Sequence, residues 1–191
     1  MGAAQILLAS ASPRRRELLA QIGIDCAVRP VDLDESHLPG ESPQDYVRRL
    51  AREKALAGLA ASDARLPVLG ADTAVLLDGD ILGKPRDRDD ALATLARLSG
   101  REHRVLSGVA VAIPGDCRCA VVETRVFFRP LSAAEIAAYW RSGEPADKAG
   151  SYGIQGRGAV YVERIEGCYS NVVGLPLAAT ARLLAELGIA V

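Results

Sequence analysis

Three groups of residues carry charge where their neighbours give no reason for it. Asp72 sits in the run Leu69-Gly70-Ala71-Asp72-Thr73-Ala74-Val75-Leu76-Leu77, which is otherwise apolar. An unpaired buried carboxylate costs several kcal/mol or more, so Asp72 must find a partner or stay near solvent. Arg14, Arg15 and Arg16 follow Ser12-Pro13, a helix start by its cap residue and its proline. Cations there oppose the helix dipole, and something anionic should compensate them. A strand, a Ser-rich turn through Ser10, a helix N-terminus with free N–H groups and two or three guanidiniums together make a phosphate site. Lys54 is the third case. It shares a helical stripe with Tyr46 and Leu50, so its ammonium must snorkel outward or meet an anion. Taken one at a time, a strand-end carboxylate, a solvated basic turn and a snorkelling lysine would read the same way.

The elements that position these groups follow from periodicity and turn chemistry. Residues 5–9 form a short apolar strand, and the helix opened by Ser12-Pro13 has Leu18, Leu19 and Ile22 as its apolar face. Residues 26–31 read as a second strand, followed by the acidic run Asp32-Leu33-Asp34-Glu35, either a solvated loop or a holder of a divalent cation. Ser42-Pro43 opens a helix to about Ala60. Residues 69–85 form a β-hairpin around Asp78-Gly79. Lys84 is a candidate partner for Asp72. A two-residue turn pairs Leu77 with Asp80 and puts Lys84 opposite Thr73, on the other face from Asp72; a three-residue loop with a bulge brings it to Asp72's face.

A helix over 87–98 looks purely structural, and two long strands, 103–113 and 119–128, meet through Pro114-Gly115-Asp116. His103 reads as an ordinary strand-edge histidine. Ser132 caps a helix to about Trp140. The segment Asp147-Lys148-Ala149-Gly150-Ser151-Tyr152-Gly153-Ile154-Gln155-Gly156 is a glycine-laced polar loop of the kind that lets a backbone approach a ligand. A last strand over 159–165, a tight turn over 170–174 and a helix from Pro176 complete the chain. Hairpins mixed with an irregular alternation of strands and helices predict an α/β fold with a mixed sheet flanked by helices.

Composition narrows the function. At 191 residues and 49% hydrophobic, the chain makes one domain, or one domain in two lobes. A formal charge of -1 gives no general attraction to nucleic acid or membrane and favours a small ligand. No apolar run approaches the roughly 20 residues of a membrane span, and no signal-peptide pattern opens the sequence, which reads as cytoplasmic. Cys26, Cys117, Cys119 and Cys168 form no C-x-x-C pair, so reduced thiols are expected rather than a disulfide framework or a zinc site. The G-x-x-x-x-G-K-[ST] loop is absent, which argues against ATPase motors and kinases of that type.

Four segments together resemble the Maf family of nucleoside triphosphate pyrophosphatases: L-A-S-A-S-P-R-R from Leu8, Y-V-R-R-L-A-R-E-K-A from Tyr46, G-A-D-T-A-V through G-K-P-R-D from Gly70, and D-K-A-G-S-Y-G-I-Q-G from Asp147. S-N-V-V-G-L-P-L from Ser170 extends the resemblance almost to the C-terminus. It implies a single Maf-like domain over 1–191, similar to inosine triphosphate pyrophosphatases, with a highly curved sheet, two lobes and a central cleft for the nucleotide. The implied reaction is hydrolysis of a nucleoside triphosphate to monophosphate and pyrophosphate, a house-cleaning of nucleotide pools assisted by Mg²⁺ or Mn²⁺.

By the family's motifs, Asp72, Lys84 and Lys54 are implied to be catalytic. Ser10, Arg14, Arg15, Thr73 and Gln155 are implied to bind substrate, and Asp72 with Glu35 to hold the metal. Gln155 is implied to favour dTTP and UTP, with modified pyrimidine triphosphates as further candidates, and the family suggests a homodimer. A Gln amide can donate to O4 and accept from N3–H of uracil or thymine, whereas a carboxylate can only accept and suits guanine. The alternatives are a 7-methyl-GTP pyrophosphatase and a nucleotide-sensing septum-formation regulator; an intact Asp72 and Lys84 speak against the latter.

Overall fold

The computed structural model describes residues 4–63 and 65–189. Its strands are β1 (Ile6–Leu8), β2 (Cys26–Val28), β3 (Val68–Leu77), β4 (Asp80–Leu82), β5 (Glu102–Ile113), β6 (Asp116–Phe128) and β7 (Val162–Glu166). They form one mixed sheet in the order β2-β1-β3-β5-β6-β7, with β4 on β3. Helices α1 (Pro13–Gln21), α2 (Pro43–Ala60), α3 (Arg88–Leu98), α4 (Ala133–Arg141), α5 (Tyr169–Val173) and α6 (Leu177–Ala185) flank it. The α/β class and the mixed sheet agree with the expectation from sequence. Two units divide the chain: Met1–Thr73 with Ser107–Val122 and Gly174–Val191, and Ala74–Leu106 with Glu123–Val173.

In the first unit β1 runs parallel to both β2 and β3, with Ile6 opposite Cys26 and Leu7 opposite Val68. Parallel neighbours need crossover connections, which α1 and α2 supply. β1 is buried throughout, as a parallel strand covered on both faces should be. β2 stops at Val28, short of the expected Val31, and residues 29–42 run on without a regular element.

Ser42 caps α2 by accepting from the Asp45 N–H, and Pro43 opens it. Small residues form part of the buried face of α2: Ala51 and Ala55 pack with Ala110 and Ala112. Two glycines let the helix backbone lie directly on the strands. A Cβ at Gly70 would fall 2.3 Å from the Ala51 carbonyl oxygen, and one at Gly108 would fall 2.1 Å from that of Val47. Gly70 is therefore what seats α2 and its Lys54 over the strand that carries Asp72.

In the second unit, Asp78 (φ 55°) and Gly79 (φ 90°) make a two-residue turn with both central residues left-handed, the type I′ geometry that suits a twisted hairpin. Leu77 pairs with Asp80, so the two-residue register is the one adopted. β4 ends at Leu82, and Lys84 lies beyond the ladder on the exposed side of the chain. Asp87 caps α3, and Ser132 with Glu135 forms a full capping box on α4. Val75, Leu95, Leu98, Phe128, Tyr139 and Tyr152 belong to the core.

Three sequence expectations fail here for local reasons. His103 is no edge residue: it is 2% exposed, meets the Tyr152 hydroxyl at 2.8 Å through Nε2, and stands edge-on to Phe128. It shares the inward face of β5 with Val105, while Arg104 between them faces outward. The last strand starts at Val162, because Arg157–Tyr161 coil into a 3₁₀ turn. Residues 169–173 are the short helix α5 rather than a tight turn; the Cys168 N–H just before it bonds to Thr124 Oγ1, and the Thr124 hydroxyl bonds to the Cys168 carbonyl. All four cysteines are free.

Candidate active site

The first unit gathers the anomalous charges into two adjoining clusters. α1 begins at Ser12 and Pro13, yet the Ser12 side chain makes no capping bond, which leaves first-turn N–H groups uncapped from that quarter. Ser10 Oγ instead accepts from the Ser12 N–H at 3.3 Å and from Arg15 Nη1 at 3.0 Å. Arg15 also donates through Nε to the Gly174 carbonyl at 3.0 Å and through Nη2 to Thr73 Oγ1 at 3.4 Å. All three acceptors are neutral. Burial lowers the pKa of this guanidinium and the field of Asp72 opposes the shift, but arginine stays charged throughout the physiological range. Thr73 ties the cluster together, since its hydroxyl is also 2.8 Å from Ser107 Oγ.

Lys54 and Asp72 meet directly. Lys54 Nζ lies 2.7 Å from Asp72 Oδ1 and 2.6 Å from Glu35 Oε1, so one ammonium is shared by two carboxylates. The partner of Asp72 is thus Lys54, not the candidate Lys84, which only the bulged register would have brought to Asp72's face, and Lys54 does not snorkel: it is 8% exposed. Burial pushes the Asp72 pKa up, more than Lys54 and Arg15 pull it down, and Glu35 adds to the rise.

Glu35 itself comes from the irregular segment between β2 and α2, which α2 holds in place. Tyr46 Oη donates to the Glu35 carbonyl at 3.0 Å, and Arg49 Nη2 to that of Ser36 at 3.0 Å. Arg49 grips Glu41 with both prongs, at 2.6 and 2.9 Å. The acidic run is therefore a loop fixed by side chains one and two turns below Lys54.

Two expected site residues belong to the second unit. Lys84 is exposed, and the carbonyl of the preceding Gly83 accepts from the Gly150 N–H at 3.0 Å, which joins the end of β4 to the glycine-laced loop. Gln155 is exposed in the turn over 154–156. Tyr152 faces the other way and is buried against His103.

Among the described residues no group of three or more His, Cys, Asp or Glu is placed to hold a metal. Asp72 and Glu35 nevertheless present hard oxygen donors to one point, now taken by the Lys54 ammonium. Mg²⁺ is commonly bound by one or two carboxylates, with water and substrate phosphate completing the shell. The pair fits a cation of that kind and not a closed protein cage.

Sequence reasoning identified the individual residues of the first unit but not the Lys54–Asp72 contact. The signal was present: a lysine in an apolar helical stripe and a carboxylate in an apolar strand are natural complements. It also gave no role to Tyr46 and Arg49, whose hydrogen bonds to the carbonyls of Glu35 and Ser36 leave no mark in hydropathy.

Residues 5–187 match the Maf-like protein family. The chain belongs to that family. A relative named dTTP/UTP pyrophosphatase from Hahella chejuensis is 53% identical over 190 residues, covering 98% of this chain and 94% of its own. One of the same name from Pseudoalteromonas translucida is 55% identical over 179 residues, covering 94% and 95%. A solved nucleoside-triphosphatase described as a dITP/XTP pyrophosphatase, from Mycobacterium abscessus, is 17% identical with a TM-score of 0.46, covering 95% of this chain and 93% of that one.

Proposed function

We propose that this Maf-like protein hydrolyses dTTP and UTP to the nucleoside monophosphate and pyrophosphate. The choice of substrate rests on relatives more than half identical over nearly the whole chain that carry the name dTTP/UTP pyrophosphatase. The chemistry rests on one observation: a buried carboxylate of raised pKa, Asp72, held by Lys54 beside the Arg15 guanidinium, whose own hydrogen bonds go to neutral oxygens.

Hydrolysis of a phosphoanhydride asks for a positioned water, an acceptor for its proton and neutralisation of phosphate charge. Asp72 is the proton acceptor. A carboxylate whose pKa is raised is, in its ionised form, a stronger base than an ordinary aspartate. Lys54 is 2.7 Å from it, and the one ammonium hydrogen not given to Asp72 or Glu35 faces a phosphate oxygen when a triphosphate arrives. Arg14 and Arg15, at the start of α1, take further phosphate oxygens, with Ser10 and Thr73 keeping the Arg15 side chain extended. Water oxygen bonds to a phosphorus of the α,β-anhydride, its proton passes to Asp72, and the bridging P–O bond breaks to release pyrophosphate. A Mg²⁺ or Mn²⁺ ion held by Asp72 and Glu35 would add neutralisation of phosphate charge and a more acidic water. Lys84 and Gln155 take their roles from the family pattern, Lys84 as a further phosphate ligand and Gln155 as the reader of the O4 and N3–H edge of uracil or thymine.

The test is a panel of UTP, dTTP, CTP, GTP and 7-methyl-GTP, with monophosphate and pyrophosphate quantified for the wild type and Gln155→Glu. We expect UTP and dTTP to lead the panel. The substitution should lower kcat/KM for both by about tenfold to a hundredfold, because two acceptors would then face each other. A wild type that prefers a guanine nucleotide, or forms diphosphate and inorganic phosphate, would refute the reading. A panel without turnover would favour a nucleotide sensor.

A further inference from the structure

The turn carrying Gln155 is fastened at both ends to one pair of side chains. The Gly153 N–H donates to Tyr139 Oη at 3.0 Å, and Tyr139 Oη donates to Glu144 Oε1 at 2.7 Å. The same carboxylate accepts from the Arg157 N–H through Oε2 at 2.8 Å and from the Gly158 N–H through Oε1 at 3.2 Å. Between these anchors the Gly156 N–H closes the turn on the Gly153 carbonyl at 3.3 Å. Tyr139 is 3% exposed on α4, and Glu144 follows that helix closely, so the clamp is built on a rigid element while Gln155 stands exposed above it.

Gly156 and Gly158 are explained by the clamp. A Cβ at Gly156 would fall 2.5 Å from the Glu144 carboxylate, and one at Gly158 would fall 2.7 Å from both the Gly153 carbonyl and Tyr139 Oη. The sequence suggested that the glycines of the 147–156 loop serve a ligand's approach; Gly156, and Gly158 just beyond that loop, instead make room for a carboxylate and a phenol of the protein itself. Burial pushes the Glu144 pKa up, but hydrogen bonds from Tyr139, Arg157 and Gly158 outweigh it, so the group is a charged acceptor at neutral pH.

We propose that Glu144, acting with Tyr139, is a positioning residue for base selection: it fixes the 153–158 turn and so the place from which Gln155 reads the pyrimidine. This rests on the reading of Gln155 given above. A glutamine on an unpinned turn could follow the edge of any base, whereas a pinned one discriminates, because a mismatched edge leaves its amide unpaired.

The experiment measures kcat/KM for UTP and GTP on the wild type, Glu144→Gln, Tyr139→Phe, Gln155→Ala and the double variant Glu144→Gln/Gln155→Ala. Hydrogen exchange at the Arg157 and Gly158 amides is followed in parallel. Glu144→Gln and Tyr139→Phe should each lower the UTP-over-GTP ratio about tenfold, chiefly through KM for UTP, as expected for one or two hydrogen bonds lost. Exchange at both amides should quicken in Glu144→Gln. In the Gln155→Ala background Glu144→Gln should change the ratio no further, an outcome a merely structural role would not give. If Gln155→Ala collapses the ratio while Glu144→Gln leaves it intact, or if Glu144→Gln acts in full without Gln155, the clamp's role is overturned and the reading of Gln155 stands. If Gln155→Ala leaves the ratio intact, the reading of Gln155 fails and takes the role of Glu144 with it. Should a clamp variant fold poorly, Gly156→Ala displaces the carboxylate by contact alone and is scored in the same way.

Discussion

Lys54 and Asp72 stand 2.7 Å apart with each side chain only about a tenth exposed. A pair this enclosed is a poor source of stability, since taking both charges out of water roughly offsets their attraction. Its consequence is chemical. Burial raises the pKa of Asp72, and Lys54 opposes that rise.

The balance is readable in the pH dependence of turnover. Asp72 serves as a base only when ionised, so activity is lost as pH falls through its pKa in the fold, which lies above the ordinary aspartate value of about 3.9. Lys54 pulls that pKa down, so Lys54→Met should move the acid limb of kcat/KM to higher pH, apart from any loss of rate. A limb that stays in place in Lys54→Met would remove Asp72 as the titrating base.

The seating of α2 on β3 gives a prediction about stability. Gly70→Ala puts a methyl 2.3 Å from the Ala51 carbonyl oxygen, where only movement of the helix can relieve it. We expect a loss of about 1–3 kcal/mol or more in urea unfolding, with activity falling as Lys54 shifts. Gly83→Ala is the control. A Cβ there meets nothing within 4 Å, and stability should stay within about 0.5 kcal/mol of the wild type. Equal effects of the two substitutions would refute the close-approach account.

His103 makes the second unit sensitive to acid. Burial lowers its pKa from 6.5 to about 4, so it is neutral in the fold at pH 7 and the unfolded chain binds the extra proton first. Stability is therefore fully present above pH 6.5 and declines as pH falls toward 4. Between pH 7 and pH 5 the decline from this one group should be about 2 kcal/mol. Urea unfolding of wild type and His103→Gln at both pH values isolates it. The same loss in the variant would mean that other groups carry the pH dependence.

How far the sequence could be read depended on whether a residue acts through its own strand or helix or through a distant partner. Pro13, Pro43, Ser132 and the Asp78-Gly79 turn act locally and gave their elements correctly. Asp72 and Lys54 were each legible as anomalies, but their contact depends on how α2 lies on β3, which Gly70 and Gly108 decide by the absence of a side chain. His103 looked peripheral because a polar residue near a strand's start says nothing of the buried tyrosine it will meet. Residues 170–174 kept their turn-like look because α5 is short and draws support from Thr124, far away in sequence. The clamp on the Gln155 turn was invisible for a similar reason: Glu144 works on backbone N–H groups, and any carboxylate in a polar loop looks solvated.

The central claim, that a positioned Asp72 drives hydrolysis of a bound nucleoside triphosphate, is tested most directly by pyrophosphate release from UTP and equilibrium binding of UTP measured side by side on wild type and Asp72→Asn. Asparagine keeps the size and an acceptor for Lys54 but cannot take the proton of the attacking water. We expect turnover to fall by about a hundredfold or more, the range a positioned base supplies, while UTP binding changes by no more than a few-fold. Pyrophosphate release that survives within about tenfold of wild type would contradict the account, because a lost general base cannot leave the rate so nearly intact.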